Sequence, residues 1–149
     1  MEDNALISIK TKQEIDGEDE VIELETPGKY AVRNGKTYII YKESKMTGFD
    51  GSTTTIKVSG DCVTVSRKGR YVSSMKYELG EKCLCLVNTP YGQIGAAITT
   101  KSIDFDFGNA GGVLTMDYLL DTDNQNFIKN NITITVKAEQ KGENDDYNG

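Results

Sequence analysis

The chain contains no histidine and no tryptophan, and only two prolines and three cysteines among 149 residues. The missing histidine excludes the most. Ser-His-Asp and Cys-His catalysis, histidine-ligated metals and the usual general base near neutral pH all require an imidazole. Any enzyme built on this chain must therefore work with carboxylates, Lys, Tyr or Cys. The cysteines Cys62, Cys83 and Cys85 form neither an even disulfide set nor a C-x-x-C pair, which fits a reducing compartment. Cys83 and Cys85 share a face of an expected strand, yet a structural zinc site takes four N or S ligands and no fourth soft ligand is in view. The thiols read instead as small apolar side chains, and neither a metal nor a cofactor is expected.

Positive charge is also scarce: 17 basic residues against 23 acidic ones leave a net charge of -6 and a pI near 4.7. Such a chain repels phosphate backbones, and the cluster Arg67, Lys68 and Arg70 is too small to reverse this, so nucleic acid is not an expected partner. No segment has the apolar length of a membrane span, and "MEDNALISIKTK" lacks the charged lead and apolar core of a signal peptide. A cytoplasmic protein with no membrane partner is expected.

What the chain does have is a succession of short β-rich runs separated by turn signals. These are Ala5 to Glu14, Val21 to Thr26, Lys29 to Arg33, Thr37 to Glu43, Thr53 to Ser59 and Cys62 to Arg67, followed by Arg70 to Tyr77, Lys82 to Asn88, Gln93 to Phe107, Gly112 to Leu120 and Ile132 to Glu139. Such spacing indicates a sandwich or a barrel. Asn34-Gly35 is a strong type I′ hairpin signal, and Gly60-Asp61, Lys68-Gly69 and "NAGG" at Asn109 to Gly112 are further turns. No window sustains a helical period, although Asn124 to Lys129 has room for one helical turn. In the long ninth run, Ile94, Ala96 and Ile98 are even-numbered, whereas Ile103, Phe105 and Phe107 are odd. Because side chains alternate faces along a strand, a bulge or bend near Thr99, Thr100 and Lys101 is needed to keep the apolar set on one side. A bent strand of this kind suits a closed barrel, which also removes exposed edges. The expected fold is all-β, an antiparallel barrel of about eight to ten strands in a single domain over residues 1–139, with "QKGENDDYNG" at 140–149 as a polar, solvated tail.

Motifs with chemical overtones are explained more simply by structure. "DFG" at Asp106 to Gly108 is similar to the metal-binding triplet of protein kinases, but no "HRD" accompanies it, and alternation accounts for Asp104 and Asp106 as outward positions. "DTDNQN" at Asp121 to Asn126 begins like a calcium loop, yet Asn126 replaces the required Gly and Ile132 the bidentate Glu. The acidic cluster around Gly17 reads as a hairpin tip. Carboxylates at Glu78, Asp104, Asp106 and Asp117 offer material for histidine-free hydrolysis, but spacing along a strand supplies neither a cleft nor shifted pKa values. No catalytic residue is assigned, and a non-enzymatic protein is expected.

Arg67 is the best single pointer to a site. It has the parity of Val63 and Val65, so if these face inward its guanidinium needs an anion or a carboxylate inside; the alternative is a strand-end residue that snorkels to solvent. Tyr38 and Tyr118, in a chain with eight tyrosines to four phenylalanines, combine an apolar ring with a polar tip suited to a lumen or rim. Thr100 is a further candidate at the expected bend. Tyr91 belongs to Thr89-Pro90-Tyr91-Gly92, a turn pattern with Pro second and Gly fourth, and is a candidate contact at a barrel mouth.

The order T-I-K-V, V-T-V-S-R-K-G, M-K-Y-E-L-G-E-K, N-T-P-Y-G-Q-I, T-T-K-S-I, G-G-V-L-T-M-D-Y and I-T-I-T-V from Thr55 to Val136 resembles the YwiB-like family of uncharacterised bacterial proteins. The segment "VIELETPGKYAVRNGKTYIIYKE" follows the family outline as well. The resemblance implies a calycin-like (lipocalin-like) barrel and brings no activity. The leading expectation is a barrel holding a small, partly apolar ligand in its lumen, an anionic one included, with Arg67, Tyr38, Tyr118, Thr100 and Tyr91 as candidate contacts. The alternative is an accessory module with a filled barrel acting through rim loops Glu43 to Ser52 and Asp121 to Asn130; an exposed apolar patch on the outer wall containing Phe49 or Phe127 would favour it. Sequence alone leaves the oligomeric state open.

Overall fold

A computed structural model of the protein describes residues 3–122 and 127–139; the expected tail at 140–149 and part of the second rim segment fall outside that range. Ten strands form one closed antiparallel barrel: β1 (Ala5–Ile15), β2 (Glu18–Arg33), β3 (Lys36–Lys42), β4 (Ser52–Ser59), β5 (Cys62–Gly69), β6 (Ser73–Glu78), β7 (Lys82–Thr89), β8 (Gly92–Gly108), β9 (Gly111–Thr122) and β10 (Phe127–Ala138). Each strand pairs with its sequence neighbours, and β10 closes the barrel on β1, from Ala5 opposite Ala138 to Glu14 opposite Lys129. Among the described residues no helix is long and apolar enough to cross a membrane.

The turns follow from local chemistry. Asn34 (φ 53°) and Gly35 (φ 77°) both take the left-handed conformation of a type I′ turn, whose twist matches the flanking strands β2 and β3. At Thr89 to Gly92 the side chain of Thr89 accepts from the Tyr91 N–H at 3.1 Å and donates to the Gly92 carbonyl at 2.8 Å, which fixes the β7–β8 hairpin.

Two expected breaks resolve differently. Val21 to Thr26 and Lys29 to Arg33 are a single strand, β2, that continues through Pro27 and Gly28. Up to Gly28 its residues pair with β1, and from Lys29 they pair with β3, so Gly28 is the corner at which the strand changes partner. A side chain there would run into Ile7 and the Ile40 carbonyl, so only glycine permits the approach. The bend expected in the ninth run is a bulge in β8: pairing with β9 skips from Thr100 to Ser102, leaving Lys101 as the extra residue. The helical turn considered over Asn124 to Lys129 is not formed at Phe127 to Lys129, which begin β10. There the β9 ladder supplies backbone partners from Asp121 to Leu119, and pairing outweighs the weak local preference.

Alternation sends one face of every strand inward. Ile7, Ile39, Val58, Val63, Ile98, Leu114, Met116 and Ile134 are fully buried and form the core. Each such side chain contributes about 1.5–3 kcal/mol relative to exposure. Where β1 begins, the barrel is plugged by Tyr30, whose hydroxyl donates to the Gly108 carbonyl at 2.6 Å and whose ring lies 6.0 Å from Phe107. Between β6 and β7 the ladder is nearly absent, with Ser73 opposite Val87 as the aligned pair. The β6–β7 turn is held instead by the Leu79 N–H on the Asp61 carbonyl at 2.9 Å and the Gly80 N–H on the Thr100 carbonyl at 3.0 Å.

Candidate functional site

Away from the Tyr30 plug the interior is not filled. A cavity of about 370 Å³ opens between walls of Ile9, Leu24, Ile56, Val65, Met75, Met116, Ile132 and Ile134. Strand parity places these residues: all but Leu24 are core residues or lie two positions from one on the same strand, and Leu24 lies opposite Ile9. The same parity carries polar residues inward at one end of the cavity: Tyr41 follows Ile39 on β3, Arg67 follows Val65 on β5, and Tyr77 follows Met75 on β6.

Arg67 and Glu43 are the charged pair of this polar end. Their side chains are 10% and 2% exposed, and the Arg67 Nη2 lies 3.6 Å from Glu43 Oε2. Glu43 also accepts the hydroxyl of the buried Thr54, and Arg67 Nη1 donates to Ser73 Oγ at 3.3 Å. Arg67 Nε is buried without a partner. The ring of Phe49 covers the guanidinium at 3.7 Å and meets Tyr71 edge-on at 5.9 Å. Phe49 and Glu43 both belong to the β3–β4 connection, which carries Met46 and Thr47 over the cavity mouth.

Three tyrosines surround the pair. Burial pushes the Tyr41 phenol well above its usual range, and the neighbouring Glu43 carboxylate adds to this against the opposing pull of Arg67. Tyr77 and Tyr118 meet edge to face, with ring centroids 4.8 Å apart. Burial raises both phenols, and for Tyr77 the adjacent Tyr118 raises it further. All three therefore remain neutral hydrogen-bonding groups near pH 7.

Of the residues singled out from the sequence, Arg67 and Tyr118 line this cavity. Thr100 is fully buried beside Tyr118 in the β8–β9 ladder, with its hydroxyl unpartnered, but it stands outside the cavity lining. Tyr38 points the other way from Thr37 and Ile39 and sits on the outer wall in a shallow depression with Lys29 and Arg33. Its even number, set against the inward Thr37, Ile39 and Tyr41, is the physical reason. Tyr91 is 97% exposed at the β7–β8 hairpin tip. Glu43, Tyr41, Thr54 and Tyr77 were not singled out, although Tyr41 and Glu43 extend the parity of Ile39 and could have been found that way. Phe49 lies against Arg67 in the cavity lining rather than in an outer-wall patch, because the guanidinium offers it a face.

The outer wall carries the remaining candidate chemistry. Asp104 and Asp106 are exposed on β8, and Asp117 accepts from Ser102 Oγ at 2.9 Å and Asn131 Nδ2 at 2.7 Å. Glu78 pairs with Lys76 at 3.0 Å. Among the described residues no three Cys, Asp or Glu side chains are grouped so as to hold a metal, and all three cysteines are free thiols.

Comparison with known proteins agrees with this architecture. The chain is 30% identical over 132 residues, 89% of its length and 92% of the relative's, to a protein of Bacillus subtilis (strain 168) named "Uncharacterized beta-barrel protein YwiB". It superposes on the crystal structure of the ywiB protein from Bacillus subtilis with a TM-score of 0.79 at 28% identity, covering 93% of each chain. Neither name describes an enzymatic activity. Residues 7–134 match the family described as "Domain of unknown function (DUF1934)", and the chain belongs to that family.

Proposed function

We propose that this is a non-enzymatic, calycin-like barrel that holds a small, partly apolar ligand in its lumen. The observation that carries the reading is the 370 Å³ cavity, apolar along its walls and polar at one end. Ligand sites are concave, mostly apolar and supplied with a few convergent polar groups, and the lower bound of their usual volume is about 300 Å³. The unfilled interior supports this reading over that of a filled barrel acting through its rim. Three free thiols support a cytoplasmic setting.

Two measurements test the proposal. Mass spectrometry of molecules released from the purified protein is expected to find one compound at near-stoichiometric yield. A neutral fluorescent naphthylamine is expected to bind the emptied protein and to be excluded by Val65→Trp, which fills the cavity from β5. A folded wild-type protein that releases nothing and binds no such probe would overturn the reading.

A second reading, association with another copy of the chain, is favoured by one feature of the outer wall. Leu84 and Leu86 on β7 are 82% and 59% exposed beside a hollow floored by Gly95 and Ala97 of β8, so the same face offers both projection and recess. Sedimentation of wild type against Leu84→Lys separates the two states; a wild-type monomer at high concentration removes the idea.

A further inference from the structure

Resting on the reading of the lumen as a ligand site, we infer that the ligand is uncharged and ends in a polar group that both donates and accepts, as a carboxamide, lactam or imide does, set against Glu43 and Arg67 together. The ionised residues lining the cavity are Arg67, Glu43 and Glu23, one cation against two carboxylates. Glu23 is 69% exposed and lies 3.9 Å from Lys10, so it is a rim group screened by water. Inside, Arg67 and Glu43 cancel, and the phenols of Tyr41, Tyr77 and Tyr118 are held neutral. A carboxylate entering this space meets Glu43 as well as Arg67, and an ammonium meets Arg67 as well as Glu43. Either brings an uncompensated charge into an apolar enclosure, which is costly.

Hydrogen-bonding capacity then selects the neutral group. The 3.6 Å between Arg67 Nη2 and Glu43 Oε2 is longer than a hydrogen bond, so the pair attracts without saturating either partner. Guanidinium offers five N–H donors. On Arg67 one nitrogen donates to Ser73 and Nε donates to nothing. A carboxylate has room for about four donors, and Glu43 takes Thr54 and the Tyr41 hydroxyl, which leaves about half of that room. An unspent donor set and an unspent acceptor set thus lie side by side, which is the complement of an amide C=O next to its N–H. Phe49 covers one face of the guanidinium and lines the cavity with it, so the head group approaches Arg67 and Glu43 from the cavity side. The tail then lies along Val65, Met75, Met116 and Ile134. At about 30 Å³ per water-sized group, the 370 Å³ cavity holds roughly a dozen non-hydrogen atoms.

The test displaces the naphthylamine probe from the full chain with three compounds of one tail length: octanamide, octanoate and octylamine. At neutral pH the last two are ionised. Octanamide is expected to displace the probe at roughly tenfold lower concentration than either ion. In Glu43→Gln, where Arg67 is left with an unpaired charge, octanoate is expected to gain and to match or overtake the amide. The wild-type series decides even if that variant does not fold. If the probe binds but octanoate or octylamine competes as well as octanamide, or octanamide does not compete at all, the head-group inference falls while the lumen reading stands. A failure of the probe to bind sinks both.

Discussion

The Arg67–Glu43 pair makes a quantitative demand on stability. Both side chains are nearly out of water, so the interaction receives none of the solvent screening that makes surface pairs nearly worthless. Replacing Glu43 with Leu leaves a guanidinium that cannot lose its proton inside the barrel, with Ser73 and the Phe49 ring as its remaining support. The expected cost is about 3–5 kcal/mol, or a fall in Tm of roughly 10 °C for a domain of this size. Replacing Arg67 with Met is expected to cost less. The stranded carboxyl can take up a proton and keep Thr54 as a partner, although the contact with Phe49, worth about 1 kcal/mol, is lost. The double variant Glu43→Leu, Arg67→Met removes both charges together and is expected to lie within about 2 kcal/mol of wild type. Urea unfolding of the four proteins yields the coupling energy as the failure of the single effects to add, at least about 2 kcal/mol here. If Glu43→Leu costs under about 1 kcal/mol and the single effects add, then water reaches the pair and the enclosed polar end described here is wrong.

Three further outcomes follow from the packing of the barrel. Tyr41, Tyr77 and Tyr118 are raised by burial, so they are neutral in both states below the ordinary tyrosine value near 10, and the stability they carry is intact there. As pH rises past that value the unfolded chain ionises first, so stability falls and the three phenols titrate with alkaline unfolding; ultraviolet titration showing them ionising in the folded protein would contradict this. Gly28→Ala forces a methyl group against Ile7 and the Ile40 carbonyl and is expected to cost about 1–3 kcal/mol in denaturant unfolding. Tyr91→Ala, at an exposed hairpin tip, is expected to change stability by no more than about 0.5 kcal/mol and to leave probe binding unaltered.

How far the sequence could be read is clearest residue by residue. Period-two alternation reports which face a side chain takes, so it marks most of the strands, the bulge near Lys101 and the shared parity of Val63, Val65 and Arg67, while leaving open whether Arg67 stays inside or reaches solvent. It reports nothing about what lies across the barrel. Tyr77 meets Tyr118 at 4.8 Å although 41 positions separate them, and no local pattern carries that meeting. Pro27-Gly28 reads locally as a break because its signal is the same whether a chain stops or turns a corner between two partners. Tyr38 shows the opposite limit: its residue type suits a lumen, but register alone decides its face. Phe49 was the least legible, since a loop aromatic takes the nearest complementary surface and here that surface is a guanidinium 18 residues further along the chain.

The polar end of the cavity is hard to explain by folding alone. A barrel selected only for stability would fill this space with aliphatic side chains, because a buried ion pair rarely does better than apolar residues of the same volume. Here the pair is retained, it is too far apart for a full hydrogen bond, one nitrogen of Arg67 has no partner, and unfilled volume lies alongside. Each of these lowers stability, and buried polar groups in folded proteins are otherwise nearly always satisfied. Their coincidence at one place, under a loop that holds both Glu43 and Phe49, is accounted for if a bound molecule completes the hydrogen bonds and fills the volume. The ligand would then be part of the folded state's own interior, and its binding would raise the stability of the barrel in proportion to how fully it satisfies Arg67.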